Sequence, residues 1–231
     1  MRTALLLVLA ALVGMSTGCS KPVTGPSFHA PKGTSYFGDI TQPFSFTVAS
    51  PVLVDPGKGT AFFVVAALDG QFYAFDRDQG KRIGRKAWAR LPKGVRGTPF
   101  ADQVNRQLLV GCYDKAVYAL DMGTGAPRWR AQVDGYVQAP VALVGAAAVV
   151  GTSVGSLYGL SPLDGSELWR IPLGNGIFAE AGVHPSWPSR ALVGTSGGKC
   201  AVIDTALGKV LSEFQVNGGL ESGPSVAEID G

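Results

Sequence analysis

The chain has 231 residues, 46% of them hydrophobic, and a formal net charge of +3 at pH 7. This length suits one sizeable domain, and so small a net charge argues against a nucleic-acid-binding protein. We therefore expect no nucleic-acid partner.

The N-terminus resembles a bacterial lipoprotein leader. Arg2 gives a thin positive start, residues 4–13 form an apolar core too short to span a bilayer, and residues 16–19 form a cleavage box. We predict a signal peptide over residues 1–18 and a lipid on Cys19, with ordinary secretion after a nearby cleavage as the alternative. Residues 19–43, rich in Pro, Gly, Ser and Thr, are interpreted as the lipidated cysteine and a flexible tether.

An internal repeat fills residues 44–231. Its anchor position is aromatic in three units and alanine in the fourth: Tyr73, Tyr118, Tyr158 and Ala201. The intervals of 45, 40 and 43 residues suit four strands per unit. A unit of this kind buries its apolar faces only by stacking on its copies.

Two turns flank each anchor. Small residues precede the anchor in all units but one: three positions before it stand Gly70, Lys115, Gly155 and Gly198, and seven before it Ala66, Gly111, Gly151 and Gly194. We expect positive φ at these turn positions. Three positions after the anchor stands a residue that can cap a turn (Asp76, Asp121, Ser161, Asp204). Seven positions after the anchor stands a glycine (Gly80, Gly125, Gly165, Gly208). This pattern predicts turns in which a side-chain oxygen caps backbone N–H groups and glycine takes the left-handed position.

Large aromatic residues come next, in an outer strand of each unit: Trp88, Trp129, Trp169 and Phe214. Because they recur, we interpret them as packing between units rather than as a platform for a cofactor. The apolar runs over residues 61–67 and 141–150 predict strands buried on both faces.

The pattern G-x-x-Y-A-[FL]-D-x-x-x-G followed by Trp, as in residues 70–80 with Trp88, resembles the quinoprotein-type (PQQ-like) β-propeller repeat. The layout of leader, tether and blades is closest to the BamB lipoproteins of outer-membrane assembly. The resemblance implies an all-β fold, a β-propeller of four-stranded antiparallel blades, with four recognisable blades and partial strands at both ends. The fourth unit, with Ala201 and Phe214 at the aromatic positions, is expected to be looser.

The ends predict an incomplete propeller. Residues 44–48 look like an outer strand without inner ones, and residues 223–230 like an inner strand without outer ones. Four blades and remnants could close a small ring, the chain could be part of a larger propeller, or a second chain could supply the rest. We favour the larger propeller.

Few residues suggest catalysis. The two histidines, His29 and His184, have no supporting motif, and we expect Cys112 and Cys200 to be buried small hydrophobes rather than a disulfide. The enzymatic alternative implied by the resemblance is a quinoprotein dehydrogenase with PQQ and Ca²⁺, but the adjacent cysteine pair that several such enzymes use is missing here. We therefore expect that the protein is not an enzyme and that it binds neither a cofactor nor a metal ion.

The loops at the mouth of the central channel are the candidate recognition site. The sequence places Val95-Arg96, Tyr136-Val137, Ile177-Phe178 and Leu220-Glu221 at equivalent positions. Arg96, Tyr136 and Phe178 are of types enriched in interfaces, although they could merely seal the channel. Trp187 is a further candidate in its own loop.

These features predict a protein-binding scaffold of the bacterial envelope, held by its lipid on the outer membrane and facing the periplasm, or secreted. Outer-membrane protein assembly is the expected process, and other envelope proteins are the expected partners. The alternatives are the dehydrogenase, or a fragment of one, and a propeller that senses a ligand or binds carbohydrate.

Overall fold

A computed structural model of the chain describes residues 49–57 and 59–226. The predicted leader, Cys19, the tether, His29 and the partial strand at residues 44–48 lie outside these residues. Within the described part, no helix has the length and hydropathy to span a membrane.

The described residues form fifteen strands in four antiparallel sheets that succeed one another along the chain. The first sheet contains β1 (Val52–Val54), β2 (Phe62–Ala66), β3 (Gln71–Asp76) and β4 (Ala89–Arg90). The second contains β5 (Phe100–Asp102), β6 (Gln107–Cys112), β7 (Ala116–Asp121) and β8 (Pro127–Gln132). The third contains β9 (Ala142–Val144), β10 (Ala147–Gly151), β11 (Ser156–Leu160) and β12 (Glu167–Pro172). The fourth contains β13 (Arg190–Gly194), β14 (Lys199–Asp204) and β15 (Lys209–Gln215).

Each sheet is one blade of a β-propeller, as the repeat predicts. In the fourth blade a single bridge between Gly182 and Leu192 takes the place of the innermost strand. This is the looser blade that the sequence predicts. The described residues 223–226, the start of the predicted C-terminal inner strand, form no strand.

In the part of the chain that the structure describes, three apolar cores lie between successive blades. Leu108 and Val110 face the first blade, Leu109 faces the third, and β10 and β11 are buried along their whole length. In β2 only alternate residues are fully buried, because no described blade covers its other face. Among the described residues, no buried core joins the fourth blade to the first, so these four blades form an open arc.

The apolar run over residues 141–150 corrects one prediction. It is not a single strand but the hairpin of β9 and β10, in which Ala147 pairs with Val144. Gly145, with φ of 60°, allows this tight reversal in the middle of an apolar run.

The turns after the anchors are capped as predicted. The carboxylate of Asp121 accepts hydrogen bonds from the N–H groups of Gly123 and Thr124, both at 3.0 Å, and Asp204 caps the equivalent turn in the same way. The glycines that close these turns have φ between 62° and 75°. Capping explains why aspartate recurs there.

The residues three and seven positions before the anchors serve two different purposes. The residues three positions before the anchor all have positive φ, including Lys115 at 64°, as predicted. The residues seven positions before the anchor do not have positive φ, which corrects the prediction. A Cβ at Gly151 would lie 2.1 Å from a methyl carbon of Ile177, and one at Gly111 would lie 2.2 Å from a methyl carbon of Val137. These glycines are needed for space rather than for backbone conformation.

Candidate functional site

The mouth of the channel is built on four backbone hydrogen bonds that repeat from blade to blade. Val95, Val137, Ile177 and Leu220 donate their N–H groups to carbonyls of the preceding hairpins at 3.0–3.2 Å. The first three side chains are at most 1% exposed. This buried residue fixes the backbone of each connection, so that the next residue has a defined place at the mouth.

The next residues are Arg96, Gln138, Phe178 and Glu221. Arg96 is exposed, and its guanidinium donates a hydrogen bond to Oε1 of Gln138 at 3.1 Å. Phe178 is partly buried, with the tip of its ring folded back over Gly176. Adjacent blades therefore bring a cation, an amide and an aromatic ring to equivalent positions.

The sequence alignment of the mouth is wrong by one residue in the second blade. The hydrogen-bond register places Gln138, not Tyr136, at the position of Arg96 and Phe178. Tyr136 occupies the position of Gly94 and Gly176, where it is 42% exposed. Aligning the buried apolar residues, rather than the large ones, would have identified Gln138.

Tyr136 nevertheless belongs to the same surface. Its ring contacts that of Tyr113 edge to face, with centroids 5.7 Å apart, and its carbonyl accepts the N–H of Ser153 in the next blade. Sequence reasoning missed Tyr113, which follows Cys112 in the hairpin of the second blade. We call Arg96, Tyr113, Tyr136, Gln138 and Phe178 the mouth patch.

Trp187 is not part of the mouth patch. It lies in the turn where its N–H bonds to the carbonyl of His184 at 2.8 Å, and it is partly buried. This loop leads into β13, at the end of the blades opposite to the mouth. The structure therefore separates Trp187 from the other three predicted candidates.

The recurring tryptophans pack between blades, as predicted, but their register differs from the prediction. The indole N–H of Trp129 bonds to the carbonyl of Pro162 at 3.0 Å, and that of Trp169 to the carbonyl of Thr205 at 2.8 Å, each in the next blade. In the fourth blade Ser212, not Phe214, pairs opposite the equivalent residue of β14.

The first blade also departs from this register. Ile83 donates its N–H to the Ala74 carbonyl and so stands at the tryptophan position. Trp88 follows five residues after Ile83, where it contacts Phe62 edge to face with ring centroids 5.9 Å apart.

Polar clamps accompany the anchor tyrosines. Tyr118 donates its hydroxyl hydrogen to Asp114 at 2.5 Å, and Arg130 lies over its ring. Burial, then the hydrogen bond to Asp114, raises the pKa of Tyr118 to about 12. Burial likewise raises the pKa of the Cys112 thiol to about 11, so this thiol is protonated at neutral pH.

The residues that could serve a quinone cofactor or Ca²⁺ are not brought together. Cys112 and Cys200 are free and buried in different blades, the second and the fourth. Within the described ranges no three His, Cys, Asp or Glu side chains lie close enough to hold a metal ion. The described residues do not fit the PQQ and Ca²⁺ site of a quinoprotein dehydrogenase.

Comparison with known proteins agrees with this architecture. A family model described as outer membrane protein assembly factor BamB matches residues 68–229. No curated protein matches the chain. Among solved structures, BamB from Moraxella catarrhalis is similar, with 21% identity and a TM-score of 0.55 over 74% of this chain and 51% of that chain.

At 21% sequence identity, the similarity to the Moraxella structure shows the fold alone. The chain spans about half the length of the Moraxella protein. The family model, in contrast, matches well over half of this chain, from the hairpin of the first blade onward. This chain therefore belongs to the family of the outer membrane protein assembly factor BamB.

Proposed function

We propose that the protein is a non-catalytic scaffold that binds other envelope proteins through the mouth patch, in the assembly of outer-membrane proteins. The observation that carries the proposal is the mouth patch itself: side chains that do not repeat, on a frame that does, in a member of the BamB family. Loops held by a rigid scaffold are where proteins place recognition residues.

The chemistry of the mouth patch suits a protein partner. Tyrosine and arginine are enriched at binding hot spots because they offer a large apolar area together with a polar group. Arg96 and Tyr136 are exposed, while Gln138 and Phe178 are partly buried and preorganised by their neighbours. Preorganised side chains lose little conformational entropy when a partner covers them.

The proposed location is the periplasmic face of the outer membrane, with a lipid on Cys19 as anchor. Support comes from the leader pattern in the sequence and from the family, whose name places its members in outer-membrane assembly. Residues 19–43 would then give the propeller reach from the membrane to its partners.

The partner surface is tested by affinity purification of the tagged protein from detergent-solubilised envelopes. The triple variant Arg96→Ala, Tyr136→Ala and Phe178→Ala should recover co-purifying envelope proteins at least about tenfold less than the parent, as expected for loss of hot-spot residues. The control triple Arg77→Ala, Leu163→Ala and Leu207→Ala changes exposed residues in turns at the opposite end of the blades. Equal recovery with both triples would exclude the mouth patch as the binding surface.

The anchor is tested separately by fractionation. Cys19→Ser should move the protein from the membrane pellet to the soluble periplasmic fraction, and it should abolish labelling with radioactive palmitate. A Ser20→Ala control should leave both unchanged. Labelling that persists in Cys19→Ser would overturn the proposed lipid site without affecting the partner proposal.

A further inference from the structure

One segment carries more positive charge than the whole chain. Residues 77–90 contain six Lys and Arg residues and one Asp, which gives +5, whereas the chain as a whole has +3. All other residues together therefore sum to −2. We call residues 77–90, which end in β4, the basic edge; they form the outer margin of the first blade.

The basic edge is exposed, and most of its charges have no carboxylate partner. Arg77 pairs with Asp78 at 3.0 Å, but no other basic residue of the segment forms an ion pair with any described residue. These exposed residues are Lys81, Arg82, Arg85, Lys86 and Arg90.

The other blades show that such charges are normally paired. Arg82 lies over the ring of Tyr73 at 4.7 Å, as Arg170 lies over that of Tyr158. Arg170, however, also forms an ion pair with Asp134. In the first blade Asp69 lies beside Tyr73, but Arg82 forms no ion pair with any described residue, so its charge stays available to an outside anion.

An apolar groove lies beside these charges. A cavity of about 620 Å³ opens between the first two blades, lined by Phe62, Ala74, Ile83 and Trp88, with Arg106 at its margin. Ile83 is 47% exposed and stands where Trp129 and Trp169 close the equivalent junctions. Isoleucine is smaller than an indole and has no side-chain N–H group, so Ile83 cannot bond to the next blade as Trp129 and Trp169 do.

We propose that the basic edge docks the propeller on a bilayer surface rich in anionic phospholipids. Lys and Arg side chains would contact headgroup phosphates, while Ile83 and the groove behind it would take apolar lipid surface, the combination typical of interfacial binding. A nucleic acid needs cations but not the exposed Ile83 among them, so the membrane fits better. The mouth patch lies on other loops and stays open to partners.

The test measures binding of residues 19–231 carrying Cys19→Ser, so that neither leader nor lipid contributes, to sedimented vesicles. Vesicles of 30% phosphatidylglycerol in phosphatidylcholine should bind the protein in 50 mM salt, release most of it in 300 mM salt, and exceed pure phosphatidylcholine at least about tenfold. The triple variant Lys81→Glu, Arg85→Glu and Lys86→Glu should bind at least about a hundredfold less. Each basic residue near the surface contributes about fivefold to the affinity, and the three factors multiply.

A matched control keeps the experiment specific. Lys93→Glu, Arg190→Glu and Lys209→Glu change the net charge equally at exposed sites outside the basic edge, and should retain most of the binding. Equal loss in both triples would show that only net charge matters and would overturn the proposal. So would tighter binding to a labelled RNA or DNA oligonucleotide than to the anionic vesicles.

The groove is tested by one further variant. Ile83→Ser should weaken vesicle binding about threefold or more at unchanged charge, because apolar contact with the bilayer is lost. Circular dichroism should show that each variant keeps its strand content. Because purified lipid replaces all protein partners, failure here would leave the scaffold proposal untouched.

Discussion

Asp134 ties the second blade to the third. It follows β8, and its carboxylate accepts hydrogen bonds from the hydroxyls of Thr152 at 2.9 Å and Ser156 at 2.6 Å, with Arg170 as its ion-pair partner. Burial by itself would raise the pKa of Asp134, but the bonds from Ser156 and Thr152 and the charge of Arg170 together lower it. The folded protein thus favours the ionised form.

Asp134→Asn should lower the free energy of unfolding by about 1–2 kcal/mol at pH 7, a value reduced by the solvent exposure of Arg170. Because the folded-state pKa is depressed, this stabilisation is present above the unfolded-state value, about 4, and is lost as the pH falls through the folded value. Urea unfolding of parent and variant should therefore differ at pH 7 and converge at low pH. Glu167→Gln, an exposed control in the third blade, should change stability by less than about 0.5 kcal/mol. A difference for Asp134→Asn that is the same at pH 7 and pH 3 would contradict the assignment.

Gly151 is required by the packing of Ile177. Its Cβ would lie 2.1 Å from Cγ2 and 2.4 Å from Cβ of Ile177, which is 1% exposed. Real atoms do not approach this closely, so an alanine must displace either β10 or the connection to the fourth blade.

Gly151→Ala should cost about 1–3 kcal/mol in urea unfolding. Ile177→Ala alone should also destabilise, through a cavity. The double variant should be clearly more stable than the sum of the two losses predicts, because the added methyl fills part of the space that Ile177 leaves. Additive losses would show that the two residues do not compete for one space.

The junction of two blades depends on a tryptophan and a glycine. Trp169 bonds to the carbonyl of Thr205 and packs on Gly208, where a Cβ would lie 2.4 Å from the Cβ of Trp169. The same relation joins Trp129 to Pro162 and Gly165. The strand β12 is thereby held against the turn of the following blade.

The fourth blade offers a matched comparison for this junction. Ser212 occupies the tryptophan position, and all seven residues of β15 are exposed, because no described blade follows. Trp169→Ser should lower the free energy of unfolding by about 3 kcal/mol, whereas Ser212→Trp should change it by less than about 0.5 kcal/mol. Thermal or urea unfolding measures both. Similar effects at the two positions would refute the role of the neighbouring blade.

Across the arc of four blades, stability should follow the number of neighbours. The second and third blades are packed on both faces, whereas one face of the first and one of the fourth is partly exposed. Local opening requires less free energy where fewer apolar contacts are lost.

Amide hydrogen exchange should therefore be slowest in β7 and β11 and faster in the equivalent strands β3 and β14. Mass spectrometry of peptides covering Tyr118 and Tyr158, against those covering Tyr73 and Ala201, measures this difference. Equal protection in all four blades would mean that they unfold as one unit or that the end faces are covered in solution.

The repeat and its turns could be predicted from the sequence because they depend on short-range chemistry. An aspartate and a left-handed glycine four residues later form a capped turn whatever surrounds them. Four such turns at regular spacing, between apolar runs, require stacked blades. The turns at Asp121 and Asp204 and the succession of blades were thus predictable.

The register across blades was decided by the tertiary structure. Each of the last three blades shifts register at the same place, after Ala119, Gly159 and Val202, and the first blade inserts residues before Trp88. Such shifts depend on which hydrogen bonds two strands share, which no local pattern specifies.

The candidate sites also depend partly on local sequence and partly on contacts between blades. The loop that carries Arg96 and Phe178 could be identified from the sequence, because variation within a repeat marks what the frame does not need. Gln138 and Tyr113 could not, since their place depends on contacts with residues of other blades. The apolar groove beside Ile83 likewise exists only because two blades meet there. The sequence by itself determined the blades, their order and their turns, and the packing between blades decided which side chains share a surface.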